Sequence, residues 1–364
     1  RNPQTLSQDG RFRTLRSQLT ALGNRLPTDS CLIVDIEGQR IISVNADASL
    51  LPASNMKLVV AMVALDVLTP EFVFSTSLVG KVNGNAIEGD AYLIGGGDPL
   101  LVTGNYPVTE PYPTFNFTRF ENLFDALRSQ GITQIRGSIV GDESRYDAER
   151  FSPSLGLGIK GTEVGPLGAL MVNDGVITGN PIKPDNPALG AATEFTNTLQ
   201  NNGISVTGTP KVGTAPQDLS VIAKINSLPL SDIVAEMLTN SDNNTAELLV
   251  KELGFATTGV GSREAGLEVM KAKLVEWGIP LDALTFVDGS GLDRGNRLSC
   301  SSLSALLAKD GGFGPTGLGL AIAGQTGTLR DVLGDSLGAG KLRGKTGTLT
   351  GAKSLSGFVP YAAD

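Results

Sequence analysis

Ser54 and Lys57 stand three residues apart where an apolar run begins, in Leu51-Pro-Ala-Ser-Asn-Met-Lys-Leu-Val-Val60. On one helix face that spacing makes the side chains neighbours, so the Lys57 amine comes within reach of the Ser54 hydroxyl and can activate it as a nucleophile. The chain has no histidine. A Ser-His-Asp triad and a His-ligated metal are therefore excluded, and lysine is the natural base. Ser-x-x-Lys alone also fits a helix-start serine followed by a surface lysine. Two later stretches change the balance, because Ser241-Asp242-Asn243 and Lys345-Thr346-Gly347-Thr348 follow it in order. Ser43-Val44-Asn45 satisfies a looser Ser-x-Asn pattern, but it precedes the serine and reads as strand.

The elements that must position these residues follow from composition and periodicity. With 364 residues, 40% of them hydrophobic, and a mean hydropathy of +0.06, the chain can bury a sizeable core and is expected to form two domains. A formal charge of −8 and a pI near 4.8 disfavour polyanions, so no nucleic acid is expected as a partner. The longest apolar stretch, Leu58 to Leu68, suits a buried helix and is too short to span a membrane. The chain opens on Arg1-Asn2-Pro3-Gln4, so an export signal has been removed or never existed. Cys31 and Cys300 permit one disulfide, with two unpaired buried thiols at least as well supported.

Phe12, Leu15, Leu19 and Leu22 predict an amphipathic helix over about 11–25, and Cys31–Ile36 with Ile41–Val44 predict a hairpin leading to the Ser54 helix. From Phe72 the texture changes to short strands and glycine turns, among them Gly95-Gly-Gly-Asp-Pro99, with a helix carrying Phe117, Phe120, Phe124 and Leu127. We read 72–221 as an inserted β-rich domain and 1–71 with 222–364 as a discontinuous catalytic domain. The second half is helical: Leu230 to Leu238, a helix opened by Asn244 with Glu247 as a capping pair, one capped by Ser262 and one capped by Ser299. Two strands, 341–350 and 353–359, enclose a tight turn, and Lys345-Thr-Gly lies on the first.

Taken together, the three motifs resemble those of class C low-molecular-mass penicillin-binding proteins, the D-alanyl-D-alanine carboxypeptidases and endopeptidases of the peptidase S13 group. Gly95-Gly-Gly-Asp-Pro99, Val172-Asn-Asp174, Asp288-Gly-Ser-Gly-Leu292, Asn296-Arg-Leu-Ser299 and Gly327-Thr-Leu-Arg330 look like that family's secondary motifs, in its order. The resemblance implies an α+β penicillin-binding fold, an antiparallel sheet flanked by helices, with an inserted domain. It implies acylation of Ser54, with Lys57 as base, Ser241 as proton relay and Asn243 holding the substrate amide. Lys345, Thr346 and Thr348 would receive the terminal carboxylate, Gly347 would leave room for the substrate, and the N–H groups of Ser54 and Thr348 would form the oxyanion hole. Asp288 to Leu292 is expected to shape the cleft as a turn, without direct chemistry by Ser290. Peptidoglycan stem peptides are the implied substrates, β-lactams the covalent inhibitors, and the cell envelope or periplasm the location, with no metal or organic cofactor. A serine β-lactamase would need a deacylating Glu-x-x-Leu-Asn, which does not occur between the last two motifs; a non-catalytic wall-binding or sensing module would be expected to lack a motif residue or carry an anchor. The insertion is shorter than in many relatives. The family continues beyond the point where this chain ends at Asp364, so a strand joining the Lys-Thr-Gly hairpin to the N-terminal one is expected to follow.

Overall fold

The computed structural model describes residues 3–104, 106, 111–180 and 182–360, with side chains from residue 12 onward. α1 (Pro3–Gly23) starts earlier than its apolar spacing predicts. Phe12, Leu15 and Leu19 are half-buried, whereas Leu22 is 47% exposed, so the apolar stripe ends a turn early. β1 (Leu32–Ile36) and β2 (Gln39–Val44) form the hairpin across a two-residue turn, with Glu37 at φ 50° and Gly38 at φ 76°. Positive φ at both positions suits the right-handed twist of the strands. α2 (Met56–Leu68) is buried continuously from Met56 to Ala64. A helix apolar on every side has to be central, and the later helices surround this one.

A second core begins at β3 (Ser75–Asn83) and β4 (Ala86–Ile94). There follow β5 (Leu101–Val102), β6 (Thr118–Arg119), α3 (Glu121–Ser129), β7 (Gln134–Ile135), β8 (Ile139–Asp142), α4 (Pro187–Asn201), β9 (Ser205–Val206), β10 (Lys211–Val212) and β11 (Ser220–Asn226). The sheet runs β10-β8-β4-β3-β11, with β7 joining β4 to β9, and mixes parallel and antiparallel pairs. Leu78, Ile87 and Leu93 share one core with Phe120, Phe124 and Leu127 and with Ala188, Ala191 and Phe195, and the Phe120 and Phe195 rings meet at 5.2 Å. Phe117 leaves this stripe and packs on the other core, because Thr118 and Arg119 are drawn into extended pairing with Leu101 and Val102. β11 pairs with β3 along its length, so this sheet continues as far as Asn226.

The remaining elements are α5 (Leu230–Asn240), α6 (Asn243–Thr258), α7 (Arg263–Glu276), α8 (Cys300–Asp310), α9 (Pro315–Leu318), β12 (Ala321–Ile322), β13 (Arg343–Leu349) and β14 (Ala352–Phe358). Ser262 and Ser299 cap α7 and α8 as predicted. α6 differs: Asp242 is its N-cap, accepting from the Thr245 N–H at 3.1 Å, and Glu247 is buried elsewhere. An Asn-x-x-Glu spacing imitates a capping box two residues too late. β12, β13 and β14 form one antiparallel sheet and β1 with β2 another. α8 packs against both β1 and β14. Cys31 and Cys300 are joined in a disulfide, which corrects the reading that favoured free thiols: α8 brings its first residue against the start of the hairpin. No helix among the described residues is long and apolar enough to cross a membrane.

Candidate active site

Ser54 sits in a single 3₁₀ turn, Ala53–Asn55, that runs straight into α2. Ala53 has φ 47°, a left-handed conformation that costs a non-glycine residue energy and must be held by its surroundings. Two glycines hold it. At Gly291, with φ +83°, a β-carbon would lie 1.9 Å from the Ala53 carbonyl oxygen, so this close approach admits glycine alone. At Gly347 a β-carbon would meet Ser354 Oγ at 2.3 Å and the Pro52 carbonyl at 2.8 Å. The missing side chain at Gly347 thus lets the serine's own turn pack against this strand. Ser354 completes the contact by donating to the Pro52 carbonyl at 2.6 Å and accepting from Asn55 Nδ2 at 2.5 Å.

The Lys57 amine is fully buried and has three partners: Ser54 Oγ at 3.1 Å, Asn243 Oδ1 at 2.7 Å and the Ser290 carbonyl at 2.6 Å. An ammonium has three protons for these three acceptors. A neutral amine has two, and Asn243 Oδ1 and the Ser290 carbonyl, which can only accept, hold both of them. Its lone pair then faces the Ser54 hydroxyl. Burial pulls the Lys57 pKa down to about 8, against the opposing pull of Asp288, Glu247, Asp242 and Glu163. Neutral lysine is accordingly accessible near neutral pH.

Ser241 closes α5 in a left-handed conformation, φ 65°, and Asp242 opens α6, so the junction of two helices sets the motif. Lys345, also fully buried, donates to Ser241 Oγ at 2.8 Å and to the Thr346 carbonyl at 2.8 Å. Burial first, then the charge of Lys57, push its pKa well below the usual lysine range. Thr346 Oγ1 pairs with Thr328 Oγ1 at 2.8 Å, and Thr348 is exposed. β12 pairs only with Arg343 and Gly344, so among the described residues the flank of β13 from Lys345 onward is free to receive an extended peptide. Among the described residues no group of three or more His, Cys, Asp or Glu is arranged to hold a metal ion.

Seven of the eight residues singled out from sequence are thus in contact: Ser54 and Asn243 with Lys57, Ser241 and Thr346 with Lys345, and Gly347 with the Ser54 turn, while Thr348 follows on the same strand. A model of the D-Ala-D-Ala carboxypeptidase 3 (S13) family matches residues 24–184 and 178–363. The chain belongs to this family. It is 28% identical over 407 residues to a D-alanyl-D-alanine carboxypeptidase of Actinomadura sp. (strain R39), covering 89% of this chain and 73% of that one. Penicillin binding protein 4 of Haemophilus influenzae superposes with a TM-score of 0.76 at 22% identity, over 94% of this chain and 90% of that one, and shows the same fold. A second structure of that protein, in complex with a β-lactam, gives a TM-score of 0.67 at 22% identity over 90% of this chain and 85% of the other.

Several contributors to this S13 site had not been singled out for it. The Ser290 turn takes part through its main-chain carbonyl, as does Glu163, whose carbonyl accepts from Asn243 Nδ2 at 2.8 Å. A carbonyl oxygen leaves no signature in residue type. Ser354 and Thr328 are ordinary strand and loop residues until the fold brings them together with Pro52 and Thr346.

Proposed function

We infer that the protein is a serine-type D-alanyl-D-alanine carboxypeptidase acting on peptidoglycan stem peptides, exported to the cell envelope, and acylated by β-lactams at Ser54. The observation that carries this reading is the Lys57 amine, held by Asn243 and Ser290 with its third position on Ser54 Oγ at 3.1 Å. Family membership supports it. In this reading Ser54 Oγ attacks the carbonyl carbon of the penultimate D-alanine while its proton passes to Lys57. The N–H groups of Ser54 and Thr348 take up the oxyanion; losing one such donor typically costs about 3–4 kcal/mol in the transition state. As the amide bond breaks, the Ser241 hydroxyl hands its proton to the departing D-alanine amine and takes up in its place the proton that Lys57 accepted, with Lys345 holding Ser241 in line at 2.8 Å. Lys345, Thr346 and Thr348 receive the terminal carboxylate, and Asn243 orients the substrate amide. Water then hydrolyses the ester and restores Ser54. The stem peptide lies along the open flank of β13. Residues 72–226 act as an inserted domain that borders the cleft.

The test is intact mass after exposure to benzylpenicillin, paired with D-alanine release from a stem pentapeptide. A durable adduct on Ser54 together with release of one D-alanine is the expected result. An adduct that vanishes rapidly, or no adduct and no release, overturns the assignment.

A further inference from the structure

α6 carries a buried carboxylate that the chemistry above does not use. Glu247 is 4% exposed, and its Oε1 accepts from two successive main-chain N–H groups, Gly289 at 3.0 Å and Ser290 at 2.7 Å. Both belong to the turn whose Ser290 carbonyl accepts a hydrogen bond from Lys57. That turn is already closed from within, because the Asp288 carboxylate accepts from Gly291 N at 2.8 Å, Asp293 N at 2.7 Å and Asn296 Nδ2 at 2.7 Å. Glu247 adds something different, an attachment of the turn to another element.

That element is the one that begins with Asn243. Asn243 and Glu247 are four residues apart on α6 and therefore share a face of the helix. One reaches the Lys57 amine through Oδ1 and the other through the Ser290 turn, so both permanent acceptors of the lysine are referenced to a single rigid helix. The distance between those acceptors decides where the third position of the amine points. We propose that Glu247 is a positioning residue of the acylation step, fixing the Ser290 carbonyl relative to Asn243 so that the free valence of Lys57 falls on Ser54. This rests on the serine-acylation reading above.

The charged groups around Glu247 are Asp288 in the turn, Lys57 on α2 and Arg263 on α7. Arg263 is itself tied to Glu149 and to the Val287 carbonyl at 3.0 Å. The amine of Lys57 faces Asp288, Glu247, Asp242 and Glu163, with Lys345 as the opposing cation. A negative charge at 247 stabilises the ammonium form, so removing the charge while keeping the acceptor oxygen separates the electrostatic effect from the geometric one.

The experiment measures benzylpenicillin acylation of Ser54 by intact mass across pH for the full chain and for Glu247→Gln and Glu247→Ala. Glu247→Ala leaves two buried N–H groups without their acceptor and is expected to slow acylation about tenfold or more at every pH. Glu247→Gln keeps an oxygen on both N–H groups. It is expected to recover most of that rate and to move the midpoint of the pH profile toward acid by roughly half a unit or more. Wild-type rates for Glu247→Ala, or a Glu247→Gln midpoint equal to that of the wild type, overturn the proposal. If the alanine variant does not fold, Glu247→Asp, which keeps the charge but withdraws the oxygen from the turn, decides: acylation at the wild-type rate overturns the proposal. Failure of the unmodified protein to acylate at all sinks the serine-acylation reading instead, which keeps the two failures apart.

Discussion

Asn243 donates its side-chain amide to the main-chain carbonyl of Glu163 at 2.8 Å, so the stretch between the first two motifs rests directly on a residue of the Ser-Asp-Asn motif. The next residue is held from the same side. Asn244 donates to Asp174 Oδ1 at 2.8 Å and accepts from Gly165 N at 2.7 Å. Asn173 and Asp174 both adopt positive φ, 53° and 52°, a pair of left-handed non-glycine residues that the contact holds in place. Asp174→Ala should therefore slow benzylpenicillin acylation by about three- to tenfold, through a donor left unpaired on buried Asn244. Second-order acylation rates measure this, and a rate equal to wild type would show that Asp174 does not steady the motif.

The pH profile of acylation follows from Lys57. Its pKa is lowered to about 8 by burial, and the neutral form is the base. With a pKa near 8 roughly one amine in ten is neutral at pH 7. Acylation should climb about tenfold per unit at acid pH and level off above the lysine pKa. A profile that is flat or falls as pH rises through that range contradicts lysine as base.

Lys345→Ala deletes the amine next to Ser241 and the open flank of β13. We expect kcat/KM on a D-Ala-D-Ala peptide to fall by about a hundredfold. Ser54→Ala, run beside it, should give no adduct while keeping its circular dichroism spectrum. Peptide turnover by Lys345→Ala at the wild-type rate would remove this residue from carboxylate recognition.

Gly291→Ala is the sharpest structural test. The added carbon would overlap the Ala53 carbonyl and would sit at a φ of +83° that side chains avoid. Stability should fall by more than about 2 kcal/mol in denaturant titration, with acylation lost in step. A variant as stable and as active as the parent would mean that the Ala53 turn does not need this contact.

The three motifs were legible because each is a set of side chains at fixed spacing, and a helix or strand converts spacing into direction. Ser262 and Ser299 were legible for the same reason. What escaped depends on groups every residue has, such as the carbonyls of Ser290 and Glu163, or on meetings across the fold, such as Ser354 with Pro52. Glu247 was misread because local spacing offered it a capping role that Asp242 already fills. Phe117 was misread because pairing with a distant strand outweighed helical periodicity. The N-terminal hairpin and the β12-β13-β14 sheet remain separate over the described residues, and residues 361–364 lie outside them.

The Cys31–Cys300 bond spans 269 positions and encloses Ser54, Ser241 and everything between them within one covalent loop. A protease cut anywhere inside that loop, for instance beside Leu157, which is 89% exposed, produces two polypeptides but not two molecules. The half bearing Ser54 and the half bearing Ser241 and Lys345 stay tethered, and only a reductant lets them part. Nicked protein would run as a single species on a denaturing gel until thiol is added.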